Sequence, residues 1–95
     1  MAVATTFDFD DGIDVYRRSI DTMNYQDNHG GEGILFHMVW ERPDGGFSVT
    51  DVFDTAEHAD AFMNDVIMPQ AEGWGMTSEP RMTRVELANH LYPKA

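Results

Sequence analysis

Of the side chains able to do chemistry in this sequence, His37 and Asp51 make the best-matched pair. A carboxylate beside an imidazole fixes the ring's tautomer and raises its basicity, which is how a general base is prepared. The two residues sit in strand-like runs, Gly33 to Arg42 and Phe47 to Thr55, separated by Pro43-Asp44-Gly45-Gly46. Whether they meet depends on that turn. Pro43 presets φ at the first turn position, Asp44 suits the second, and Gly45 accepts positive φ. The connection therefore reads as a three-residue hairpin loop closed by a left-handed glycine. In that register Arg42 faces Gly46, Val39 faces Val49, His37 faces Asp51 and Leu35 faces Phe53. A slip of one residue would separate the pair. The same arrangement also suits a structural pair, a buried histidine satisfied by a cross-strand carboxylate that holds register.

Other side chains gather round this pair. Leu35, Val39, Val49 and Phe53 share its face of the ribbon and would form apolar walls. Tyr16 projects from a helical stripe and would offer its hydroxyl to the same pocket. Trp74, between Gly73 and Gly75, reads either as a gate over the pocket or as a fixed plug. His58 falls in the first turn of a helix, His29 in a loop and His90 on the last strand. Four histidines without tight ligand spacing give no metal site, and the absence of cysteine removes thiolate sites and disulfides. No cofactor is expected.

The elements that must position these residues follow from periodicity. Val3 to Phe9 alternates as a strand. Asp11 is placed to cap a helix with Ile13, Tyr16, Ile20 and Met23 on one buried stripe, running to about Tyr25. The hairpin follows a polar, glycine-rich loop. Asp54 with Glu57 reads as a capping box for a second helix with Ala59, Phe62, Met63, Val66 and Ile67 inward, ended by Pro69. Arg81 to Tyr92 reads as the closing strand. Strand, helix, strand, strand, helix, strand is the ferredoxin-like βαββαβ plan: an α+β fold with a four-stranded antiparallel sheet and two helices on one face.

One feature of the hairpin calls for more than two helices. Leu35 and Val39 are apolar on one side of the first strand; Phe36, Met38 and Trp40 are apolar on the other. A strand greasy on both faces needs cover on both. In a single domain of 95 residues the second cover is most simply another copy of the same sheet. Phe36, Met38, Trp40 and His90 are the expected dimer-interface residues.

Composition sets outer bounds. A net charge of −11, from 17 acidic and 6 basic residues, disfavours nucleic acid and anionic membrane as partners. With no basic-then-apolar leader and no long apolar run, neither a signal peptide nor a membrane span is expected, and the expected compartment is the cytoplasm.

Gly33-Ile-Leu-Phe-His37, Gly46-Phe-Ser-Val-Thr-Asp51-Val-Phe, the Ala59–Phe62 helix with its Pro69 ending, and a closing strand with His90 together resemble the dimeric α+β barrel superfamily. The resemblance is greatest to small actinobacterial members related to antibiotic biosynthesis monooxygenases. It implies a homodimer with sheets packed face to face, and a ligand cavity between sheet and helices in each subunit. Some such relatives oxygenate polyketide-type phenols without metal or flavin; others bind haem, cyclise polyketides, or have no known activity. Monooxygenase relatives often carry a histidine in the second helix near the position of Phe62, so the resemblance transfers a pocket position there but no catalytic group. The expectation is a cofactor-independent monooxygenase or cyclase/isomerase acting on an aromatic or polyketide-like compound, with His37 and Asp51 catalytic and Tyr16, Leu35, Val39, Phe53, Phe62 and Trp74 contacting substrate. The alternative is a non-catalytic dimeric module for a hydrophobic ligand, with haem a weaker option.

Overall fold

The hairpin closes as its turn residues dictate. Gly45 sits at φ 95°, its N–H donates to the Arg42 carbonyl at 3.1 Å, and the Arg42 N–H donates to the Gly46 carbonyl at 2.8 Å. A computed structural model describes residues 1–23 and 32–89 of the chain. Its elements are β1 (Val3–Phe9), α1 (Ile13–Met23), β2 (Ile34–Glu41), β3 (Phe47–Phe53), α2 (Ala56–Ala61) and β4 (Arg81–Glu86). Helix α2 runs on into a π-helical turn, Phe62–Ile67, and a 3-10 turn, Glu72–Trp74, follows. The strands lie in the order β2-β3-β1-β4, with each neighbouring pair antiparallel. This is the ferredoxin-like α+β fold.

Period-two alternation separates the two sheet faces. Val3, Thr5, Phe7 and Phe9 from β1, and Phe47, Val49, Asp51 and Phe53 from β3, are buried beneath the helices. Two apolar clusters fill this layer. Phe7, Phe9, Val15, Phe47, Val49 and Trp74 form one; Val3, Phe53, Ala59 and Phe62 form the other. The opposite face leaves Phe36, Met38, Trp40 and Val85 at 47, 45, 41 and 52% exposure.

The expected register holds from Trp40 to Phe36 and then breaks. His37 pairs with Asp51 and Val39 with Val49, but Ile34, not Leu35, pairs with Phe53, because a bulge separates Ile34 from Phe36. Leu35 is the extra residue and turns outward, 40% exposed. A bulge bends its strand and increases the local twist, and period counting cannot foresee an inserted residue.

Four further expectations change. The buried line of α1 is Val15 and Ser19, with Tyr16 half-buried beside them, one position round from the stripe through Ile13 and Ile20. Asp11 stands two residues before α1 begins at Ile13, and its carboxylate accepts from the Thr77 N–H at 3.3 Å and hydroxyl at 2.6 Å. Thr55, not Asp54, is the N-cap of α2, its hydroxyl accepting from the His58 N–H. Asp54 instead holds the His58 ring at 2.6 Å. Strand β4 ends at Glu86, short of the extent expected. His29 and His90 lie outside the described residues.

Arg42 closes the turn end of the sheet. Its guanidinium donates to the carbonyls of Phe9 and Phe47 and to the Ser48 hydroxyl. Gly46 leaves room for it: a Cβ there would collide with the guanidinium and with the Phe9 carbonyl.

Candidate active site

The site is a short chain of polar groups set in apolar walls. Because β2 and β3 pair in this register, His37 Nδ1 lies 2.5 Å from Asp51 Oδ1. An ionised carboxylate can only accept, so Nδ1–H donates to it, and the tautomer that does so carries its acceptor lone pair on Nε2. Helix α1 crosses above and brings the Tyr16 hydroxyl to 2.8 Å from that Nε2. Tyrosine O–H, imidazole and carboxylate thus form a relay from α1 through β2 to β3. Asp51 is 4% exposed. Burial, and next the charge of Asp51, raise the Tyr16 pKa above its ordinary value, so the phenol stays protonated at neutral pH and serves as a donor.

This relay borders a cavity of about 50 Å³ between sheet and helices, whose apolar lining includes Phe9, Val15, Phe47, Phe62, Ile67 and Trp74. Phe62 and Ile67 reach it together because the intervening turn is π-helical: the Met68 N–H donates to the Met63 carbonyl, five residues back, at 2.9 Å. That winding brings residues five apart back toward one side.

Trp74 is 4% exposed and packs in the first apolar cluster. The Arg18 Nε donates to its carbonyl at 2.6 Å, and Gly75 takes the left-handed conformation at φ 90°. Arg18, exposed on α1, therefore anchors the loop that carries Trp74.

Of the residues read from sequence as pocket contacts, Tyr16, Phe62 and Trp74 line the cavity together with His37 and Asp51. The other three do not line it. Leu35 is lost to the bulge. Val39 packs at the edge of the first cluster. Phe53, 1% exposed, belongs to the second cluster, its ring 5.7 Å from that of Phe62. Sequence reasoning passed over Phe7, Phe9, Phe47 and Ser19, which also line the cavity. The alternation in β1 placed both of its phenylalanines on one face, and Ser19 lies one helical turn from Tyr16; those were the available signals. Among the described residues no group of three or more His, Cys, Asp or Glu side chains is placed to hold a metal ion, and no helix is long and apolar enough to cross a membrane.

No protein-family model and no curated protein matches the chain. Solved structures do. A Mycobacterium tuberculosis protein, Rv0793, is similar with a TM-score of 0.71 at 15% identity, over 97% of this chain and 100% of that one. SnoaB, a cofactor-independent oxygenase from Streptomyces nogalater, is similar in a mutant form with a TM-score of 0.67 at 13% identity, over 95% of this chain and 96% of that one. The chain shares its fold with these proteins and with a putative antibiotic biosynthesis monooxygenase from Deinococcus radiodurans, at a TM-score of 0.64 and 16% identity over 100% of both chains. Another similar structure is the ActVA-Orf6 monooxygenase of Streptomyces coelicolor in complex with nanaomycin D, with a TM-score of 0.58 at 12% identity, over 98% of this chain and 91% of that one. At these identities the likeness is one of fold.

Proposed function

We propose that this dimeric α+β barrel-like protein is a homodimeric enzyme that removes a proton from a small aromatic or polyketide-like compound without a bound cofactor. The observation that carries this reading is the Tyr16–His37–Asp51 relay opening on an apolar cavity. The substrate proton passes to the Tyr16 oxygen as the Tyr16 proton passes to His37 Nε2, and Asp51 stabilises the resulting imidazolium. The apolar walls strengthen that ion pair by excluding water. The substrate anion then reacts with dioxygen in a monooxygenase, or undergoes ring closure or proton return in a cyclase or isomerase. The fold of a cofactor-independent oxygenase supports the oxygenase branch.

Dimerisation is part of the proposal. Exposed Phe36, Met38 and Trp40 on β2 and Val85 on β4 lie on the side of the sheet away from the helices, with Val52 and Ala4 between Phe36 and Val85 in one cross-strand row, and a second copy would cover them. Light scattering should report a dimer that Trp40→Glu converts to monomer; a wild-type monomer at high concentration refutes the assembly.

The enzyme reading is tested with anthrone, whose activated C–H and affinity for oxygen report both steps. Oxygen uptake above the uncatalysed rate is expected, and His37→Ala should lower it by about 10²–10⁴-fold, the usual worth of a general base. Full turnover by His37→Ala would end the catalytic assignment. The second reading, a ligand-binding module without catalysis, draws on Phe62 and on the smallness of the cavity; a panel of tight-binding aromatics with no turnover would favour it. Haem as the ligand predicts a Soret band on titration.

A further inference from the structure

The cavity beside His37 is too small for the compound it would act on. Its volume is about 50 Å³, about a third of the roughly 150 Å³ of a cavity that takes up one benzene ring. A second depression lies next to it. This groove has a volume of about 630 Å³, within the roughly 300–1,000 Å³ of small-molecule sites. Met63, Met68, Met76 and Met82 line it, with Pro80 and Ala71.

The two spaces share a floor. Phe7 pairs with Val49 on β3 and with Met82 on β4, and all three side chains rise toward the helices. Val49 belongs to the cavity and Met82 to the groove, while Phe7 lines both. With neighbouring strands about 4.8 Å apart, the partition is one side chain thick. Its roof changes hands in the same short stretch: Ile67 covers the cavity and Met63 and Met68 the groove.

We propose that cavity and groove are the two ends of one ligand site, and that the methionine groove seats the non-reacting rings of a neutral fused-ring aromatic. This rests on the reading of the His37 cavity as the reacting end. Unbranched thioether side chains suit the role, since they repack round flat ligands and make favourable contacts with aromatic rings. Charge selects the ligand class. The described lining of the groove carries Glu72 and Glu79 and no cation, in a chain of net charge −11. Carboxylated or sulfonated ligands are repelled, and neutral ones are not.

The experiment follows the methionine ε-methyl signals by NMR during titration with acridone, a neutral three-ring probe, and with acridone-4-carboxylate, its anionic match. Acridone should shift Met63, Met76 and Met82 saturably and leave Met38, on the opposite sheet face, unmoved. Met82→Glu, at a position 55% exposed, should weaken acridone at least tenfold. The carboxylate should bind at least tenfold more weakly than acridone. Groove methyls that stay still under saturating acridone, or an anion that binds as well as the neutral probe, overturn the proposal. The anthrone assay on His37→Ala keeps the two claims apart. Full turnover with responsive groove methyls removes the base and leaves the groove; lost turnover with silent methyls does the reverse.

Discussion

Two histidine–aspartate pairs in this molecule have nearly the same length and different surroundings. His37 and Asp51 meet at 2.5 Å across two strands, with side-chain exposures of 21 and 6%. His58 and Asp54 meet at 2.6 Å one helical turn apart, with exposures of 34 and 44%. The first pair has Tyr16 on its far nitrogen and a cavity beside it. The second has Glu32, itself 87% exposed, at 3.8 Å on the far ring nitrogen. Contact length therefore says little about role. A buried pair constrains the fold and is expensive to break, because each partner left alone has lost water without replacement. An exposed pair is screened, and either partner returns to solvent at little cost.

The sharpest test of this contrast replaces each histidine in turn. His37→Ala leaves the buried Asp51 carboxylate and the Tyr16 hydroxyl without their ring partner, and stability in urea should fall by about 1–3 kcal/mol. His58→Ala should move the urea midpoint much less. Equal losses in the two variants would erase the distinction.

A second test moves the exposed pair through the backbone. Gly33 holds φ 82°, and a Cβ there would collide with His58 Nδ1 and sit 2.5 Å from Asp54 Oδ1. Gly33→Ala should cost about 1–2 kcal/mol, the penalty of left-handed backbone for an L-residue, and should displace His58 while the His37 resonances stay in place.

Tyr16→Phe is a smaller change on the buried side. Losing one hydrogen bond should lower stability by about 0.5–1.5 kcal/mol. Anthrone turnover should fall, and its pH profile should shift because His37 Nε2 no longer accepts from the phenol. An unchanged profile would remove Tyr16 from the relay.

The smallest effect is a titration. The hydrogen bond to Asp54 raises the His58 pKa above 6.5, aided by the charges of Asp54 and Glu32. The same bond lowers the Asp54 pKa below 3.8. A raised folded-state pKa on His58 stabilises the fold fully below about 6.5, and this is lost as pH rises through the folded value. A lowered pKa on Asp54 stabilises above about 3.8, and this is lost as pH falls through the folded value. The pair contributes most between those limits. Asp54→Asn should return the His58 midpoint toward 6.5 by NMR; a midpoint that does not move would mean the bond is not what raises it.

The residues that were legible in advance share a property. His37–Asp51 and Val39–Val49 were fixed by a four-residue turn and a period of two, both local in the chain. Element order, Thr5 and Phe7 inward on β1, and Ala59 and Phe62 inward on α2 follow from the same counting. Counting fails where an element is irregular. The bulge at Leu35 turned one expected wall residue outward. The cap expectations differ for a related reason: Asp11 and Asp54 are plausible caps by type, but their carboxylates meet Thr77 and the His58 ring instead, and Thr55 caps α2.

Sequence by itself determined the βαββαβ order, the hairpin register round His37 and Asp51, and the two-sided apolar character of β2, because each depends on neighbours within a few residues. Tertiary structure alone decided that Tyr16 lies on His37, that Arg18 anchors the Trp74 loop, and that Phe7 lines both the cavity and the groove. Those contacts join segments far apart in the chain. Their geometry is set by how helices pack on a twisted sheet, which no local pattern of residues encodes.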